Sequence, residues 1–182
     1  KGFFFRTAPS DARGGQVLAD ITKDRRVKSV AITYTNNDYG KGLADVYKAS
    51  VEAHGIEVTT MSAHEDGKAD YSSEVATLAS AGGDAIAVIG YLDQGGKGII
   101  QGALDSGSFD TFILSDGMIG DSLTDAFGED LNKSFGSLPG SMNKKTAGTF
   151  TTVAKAAGID SSGPYTGESY DAAALIVLAM QA

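Results

Sequence analysis

The sequence predicts an α/β fold, a doubly wound parallel sheet with helices on both faces, and three observations carry that prediction. The first is the stretch Asp84-Ala-Ile-Ala-Val-Ile-Gly-Tyr-Leu-Asp-Gln-Gly-Gly96, in which Ala85 to Ile89 is an uninterrupted apolar run between glycine-marked turns. A strand buried on both faces reads this way, and such strands belong to parallel sheets covered by helices. The second is spacing. Strand starts at Lys28, Ile56, Asp84 and Thr111 lie 28, 28 and 27 residues apart, the size of a strand–helix unit, repeated without sequence identity. The third is that the segments between them carry helical apolar periods, and parallel strands joined by helices wind into one sheet.

Each element has its own signals. Ser10-Asp11 starts a helix after Phe3-Phe4-Phe5, with Val17, Leu18 and Ile21 as its apolar stripe and Lys23 to Arg26 as its basic stop. Lys28 to Tyr34 reads as a strand. Asn36-Asn37-Asp38 caps a long helix with Leu43, Val46, Tyr47 and Val51 inward, ending at Gly55. Ile56 to Ala63 is the next strand, and Asp70 caps a helix with Tyr71, Val75 and Leu78 inward. After the Asp84 strand comes a helix with Ile99, Ile100, Ala103 and Leu104, stopped at Gly107, then a strand from Thr111 to Leu114. Beyond Asp116 the rhythm fails. Asp121 to Leu131 reads as a helix, Ser134 to Pro139 as a short extended piece, and Thr146 to Ala157 and Tyr165 to Ala182 as two helices. A change of domain is expected between Ser134 and Ser141.

Composition narrows the function classes. The 182 residues give room for one packed domain or one lobe with part of another. A net charge of −8 with both signs interspersed argues against a nucleic-acid partner and offers no basic face to a membrane. With no cysteine, disulfides, thiolate catalysis and cysteine–zinc sites are excluded. The apolar run Ala172 to Met180 is far shorter than the ~20 residues that span a bilayer, so membrane insertion is not expected. Both ends read as cut: Lys1 to Arg6 starts directly as an apolar strand, and the last helix lacks the usual stop signals. A piece of a larger protein, with the apolar face of Ala172 to Met180 driving association, is the expectation.

Three loops leave the carboxyl ends of strands, Thr35 to Gly40, Tyr91 to Gly96 and Ser115 to Gly120, and that edge is where an open parallel sheet binds ligands. They place Tyr39, Tyr91 and Asp116 together, two aromatic rings and a carboxylate, a coherent cage for an ammonium group. The bland alternative has Tyr39 starting a helix, Tyr91 packing on a neighbour and Asp116 forming an Asx turn. Other motifs fail on inspection. Gly95-Gly96-Lys97-Gly98 lacks the first glycine and the terminal Ser or Thr of a phosphate loop. Asp66-Gly-Lys-Ala-Asp70 has Thr77 where a calcium loop needs glutamate. Gly167-Glu-Ser-Tyr-Asp171 lacks the second glycine of a nucleophile elbow. His54 and His64 show no matched partners, so neither a metal site nor a cofactor nor an enzyme is expected.

Phe5-Arg-Thr-Ala-Pro-Ser-Asp11, Asn37-Asp-Tyr-Gly40, Gly90-Tyr91 and Ser-Gly-Pro-Tyr165 before Ser169-Tyr-Asp-Ala172 resemble the branched-chain amino-acid-binding family of periplasmic solute-binding proteins. The resemblance implies a receptor of an ABC importer, periplasmic or lipid-anchored outside the cytoplasm, that holds an amino acid between two doubly wound lobes and docks on a membrane permease. It implies that residues 1–138 are the second lobe, and that residues 139–182 pack on the first. It also implies that Tyr39, Tyr91 and Asp116 hold the ligand's amino group, with Asp116 where some members carry Glu; the shorter side chain changes how deeply the amine sits. Residues for the ligand carboxylate belong to the first lobe. Two other readings share the fold: the effector-sensing domain of a transcription regulator, which an upstream helix-turn-helix would mark, and a small α/β enzyme.

Overall fold

The structure is a computed structural model that describes Gly2, residues 4–140 and residues 144–181. Lys1 and Phe3 of the expected opening strand lie outside the described residues, as do Ser141 and Ala182 at the limits of two other expectations. The chain divides into two compact units: Asp11–Leu138, and the described residues of Lys1–Ser10 with Pro139–Ala182.

In the first unit the order is α1 (Asp11–Asp24), β1 (Ser29–Thr35), α2 (Asp38–Ala53), β2 (Glu57–His64), α3 (Ser72–Ala81), β3 (Ala85–Ile89), α4 (Gly96–Asp105), β4 (Phe112–Leu114), α5 (Asp121–Phe127) and β5 (Phe135–Gly136). All pairings are parallel and the spatial order is β2-β1-β3-β4-β5. The Asp84 strand therefore stands at the centre. The chain runs outward from β1 to β2 and then returns to lay β3 on the other side of β1. Sheets that reverse direction in this way open a crevice past the carboxyl ends of the two strands at the reversal.

Alternation along the strands builds two cores. Ala31, Ile86, Val88, Phe112 and Leu114 join Val75, Leu78, Ile99, Ile100 and Phe127 on one face. Val30, Ile32, Ala85, Ala87, Ile89 and Ile113 join Leu18, Leu43, Tyr47 and Val51 on the other. Every residue of β3 is buried, and each fully buried Ile, Val, Leu or Phe contributes about 1.5–3 kcal/mol. The start and end of α2 and the end of α4 match the sequence signals, whereas at α3 Tyr71 takes the cap position without a side-chain bond and Asp70 stands one residue before it, accepting from Ser72 N. Asn37 Oδ1 accepts from the Gly40 backbone N at 2.9 Å at the start of α2, and Gly55 and Gly107, at φ +77° and +63°, follow the ends of α2 and α4.

Two further expectations change. Helix α1 buries Gly15, Leu18, Ala19 and Thr22, while Val17 and Ile21 are only half-buried. Small residues win that face because α1 lies close against α2: a Cβ on Gly15 would come within 2.8 Å of Val46 Cγ1. The buried Thr22 hydroxyl is satisfied by Leu18 O at 2.7 Å and Tyr47 Oη at 3.0 Å. The opening strand does not form among the described residues: Phe4 and Phe5 are 78% and 82% exposed, in irregular chain. A strand needs a ladder partner for its backbone groups, and among its described residues this second unit supplies only helices.

Those helices are α6 (Lys144–Ala156) and α7 (Thr166–Gln181). The Phe150 and Tyr170 rings meet at 5.4 Å, and the Thr7 hydroxyl donates to Glu168 O at 2.9 Å. Helix α7 leaves Leu175, Ile176, Val177, Leu178 and Met180 more than half exposed. Among the described residues no helix is long and apolar enough to cross a membrane.

Candidate ligand site

The loops after β1, β3 and β4 meet at the carboxyl edge of the sheet, across the point where strand order reverses. Tyr39 stands in the first turn of α2 and reaches over that edge. Its hydroxyl donates to Asp116 Oδ1 at 2.8 Å, with Ser115 Oγ a second acceptor at 3.3 Å. The Tyr39 and Tyr91 rings stack at 5.3 Å between centroids, 27° apart in plane. All three predicted residues thus stand together.

Their arrangement differs from a two-walled cage. Offset stacking is the favoured meeting of two rings, and at this separation nothing fits between them. The tyrosines form one wall, with the Asp116 carboxylate at its rim. Burial first, and the neighbouring Asp116 charge after it, hold the Tyr39 phenol well above the ordinary tyrosine range, against the opposing effect of the Ser115 hydroxyl. Tyr39 therefore stays a hydrogen-bond donor at physiological pH.

Ser115, which the sequence offered only as part of a turn, is the hidden centre. It is 1% exposed, and its hydroxyl accepts from Gly90 N at 3.3 Å, tying the β3 loop to the β4 loop. Gly117 permits that close approach. A Cβ there would lie 2.3 Å from Gly90 O and 3.3 Å from both Tyr39 Oη and Tyr91 Cδ1. Asp93 turns away to pair with Lys97 at 2.6 Å. In the rejected calcium motif, Asp66 accepts from the Thr35 hydroxyl at 2.7 Å and Asp70 from Ser72 N at 2.9 Å.

Both histidines have partners that spacing could not show. His54 Nε2 meets Asp20 Oδ1 at 2.8 Å. His64, 1% exposed, meets Thr33 Oγ1 through Nδ1 at 2.9 Å, just behind Gly90. Burial pushes the His64 imidazole down, outweighing the opposite pull of Asp66, Glu74 and Glu65. A base held below its unfolded value of about 6.5 contributes stability that is complete above that pH. The contribution is lost as pH falls toward the folded value, at up to about 1.4 kcal/mol per pH unit. Thermal melts from pH 7 downward should show that slope in the wild type and a shallower one in His64→Gln; parallel slopes would refute it.

A parallel sheet with a polar, aromatic-lined edge at its strand reversal defines a class of α/β ligand-binding folds. Within that class the chain belongs to the periplasmic binding protein family, whose model matches residues 1–182. It is 37% identical over 93 residues to the Leu/Ile/Val-binding protein homolog 3 of Brucella melitensis, an alignment covering 50% of this chain and 25% of that protein. The aligned half of this chain thus spans about a quarter of the length of that relative. An extracellular ligand-binding receptor from Rhodopseudomonas palustris has a similar fold, with TM-score 0.76, 19% identity and coverage of 91% of this chain and 49% of that one. An ABC transporter substrate-binding protein from Desulfitobacterium hafniense in complex with Leu superimposes with TM-score 0.52 and 24% identity, over 62% of this chain and 34% of that one.

Proposed function

We propose that this chain carries the ammonium-holding side of the ligand crevice in an extracytoplasmic receptor of an ABC importer. Its ligand is a branched-chain or related amino acid. The observation that carries the reading is the Tyr39–Asp116 pair at the strand reversal, with the Tyr91 ring stacked beside it. Asp116 supplies the counter-charge, and a charge-assisted hydrogen bond to it is worth about 1.5–3 kcal/mol. The free face of Tyr91 adds about 0.5–2 kcal/mol against an ammonium. Tyr39 holds Asp116 in place from behind, and no bond is made or broken.

In this reading residues 1–138 are the second lobe, residues 139–182 pack on the first, and the closed receptor docks on a membrane permease. The names of the relatives support the amino-acid class. The effector-sensing reading shares the fold, but no observation on this chain favours it.

Calorimetry on the intact protein with leucine and with 4-methyl-2-oxopentanoate, the same skeleton without the amine, tests the proposal. Leucine should bind and the oxo acid should bind far more weakly. Equal affinities, or binding of the oxo acid alone, would remove the ammonium site.

A further inference from the structure

The glycine-rich turn Gly95-Gly96-Lys97-Gly98 fails as a phosphate loop, yet its glycines are needed. A Cβ on Gly95 would fall 2.6 Å from Tyr71 Oη, and one on Gly98 would fall 2.6 Å from Tyr71 Cδ2. On the other side, a Cβ on Gly96 would meet Met118 at 2.3 Å. The turn is a seat, and its main occupant is the phenol of Tyr71, only 5% exposed, which reaches across from the start of α3.

What that phenol touches leads back to the ligand edge. Its hydroxyl lies 2.9 Å from Gln94 O and 3.0 Å from Glu65 O, and it accepts from Lys68 N at 3.1 Å. The backbone N of Gly67 donates to the same Gln94 oxygen. Gln94 N and Gly96 N in turn donate to the carbonyl of Tyr91, at 3.3 and 3.1 Å. The loop between β2 and α3 is itself anchored at the end of β1, where Thr35 holds Asp66. Hydrogen bonds linked by short stretches of backbone therefore join the end of β1, through Tyr71, to the peptide of Tyr91.

We infer that Tyr71 is a positioning residue, whose hydroxyl holds the Tyr91–Gly96 turn in the shape that receives the ligand's amino group. It touches no ligand and acts only through Gln94 and Tyr91. The inference rests on the amino-acid reading above and adds to it a determinant outside the crevice. Without the hydroxyl, the Gln94 carbonyl keeps only Gly67, and the turn that carries Tyr91 loses a tie to the loop between β2 and α3.

Tyr71→Phe keeps the ring in its glycine seat and removes only the bonds. Tyr47→Phe is the matched control, because it deletes another buried phenol, bonded to Thr22 on the opposite face of the sheet. In the intact protein, leucine affinity by calorimetry should fall at least about fivefold in Tyr71→Phe, the worth of one net buried hydrogen bond. It should stay within about twofold of wild type in Tyr47→Phe, as expected for independent distant sites. Hydrogen exchange across residues 91–98 should quicken in the first variant alone. Unchanged leucine affinity in Tyr71→Phe, or equal losses in both variants, would overturn the positioning role. A wild type that binds no leucine would overturn the functional reading instead. The exchange comparison would then decide separately whether Tyr71 holds the turn, and unchanged exchange would overturn that too.

Discussion

On the proposed reading, Asp116→Asn should lower the affinity of the intact protein for leucine by two or more powers of ten while leaving its melting temperature unchanged. Asparagine fits the same turn and can still accept the Tyr39 hydroxyl through its side-chain oxygen, so the shape of the edge survives. Only the charge is lost. A bound ammonium left without its counter-ion typically costs about 3–5 kcal/mol, far more than an exposed ion pair at about 0–1 kcal/mol. Tyr91→Phe should cost much less, because the stacked ring remains. Titration calorimetry with leucine on the three proteins separates these cases. If Asp116→Asn binds as tightly as wild type, Asp116 is a turn former and the ammonium site lies elsewhere.

Gly117→Ala should damage stability and binding together. The added Cβ would stand 2.3 Å from the Gly90 carbonyl oxygen, a backbone atom with no rotamer to yield. Overpacking of this kind costs about 1–3 kcal/mol, and a rigid backbone neighbour puts the expectation at the upper end. For a chain of this size each kcal/mol shifts the melting temperature by about 2–4 °C. Relief requires the end of β3 or the turn after β4 to move, and either displaces Tyr39 or Tyr91, both 3.3 Å from the new carbon. A melting curve superimposable on wild type, with leucine affinity intact, would mean that these loops have slack the packing does not show.

Most of the fold was legible because it rests on local periodicity. The Ala85 to Ile89 run could only be a strand covered on both faces, and the even spacing of strand starts required helices between parallel neighbours. The inward face of α1 was misjudged because helix–helix distance decided it. Val17 and Ile21 are more apolar than Gly15, yet Gly15 is buried because α2 comes so close there that a Cβ would meet Val46. That Tyr39, Tyr91 and Asp116 stand side by side could be read from the ends of strands. The ring stacking could not, nor could the parts played by Ser115, Tyr71 and His64. Each depends on hydrogen bonds between positions 20 or more residues apart in sequence, such as Gly90 with Ser115 and Tyr71 with Gln94, with |i−j| of 25 and 23. Such pairs leave no periodic trace.

The stacked tyrosines also make the carboxyl edge of the sheet optically visible. These 182 residues hold seven tyrosines and no tryptophan, so within this chain no indole masks phenol emission. A phenol hydrogen-bonded to a carboxylate is quenched, and Tyr39 makes that bond to Asp116 at 2.8 Å. A cation that draws the carboxylate to itself loosens the bond and brightens the phenol. Two rings 5.3 Å apart also couple their transitions, so any splaying of Tyr91 from Tyr39 registers in near-ultraviolet circular dichroism. On this chain, occupancy of this edge can be followed without a label, by its own light.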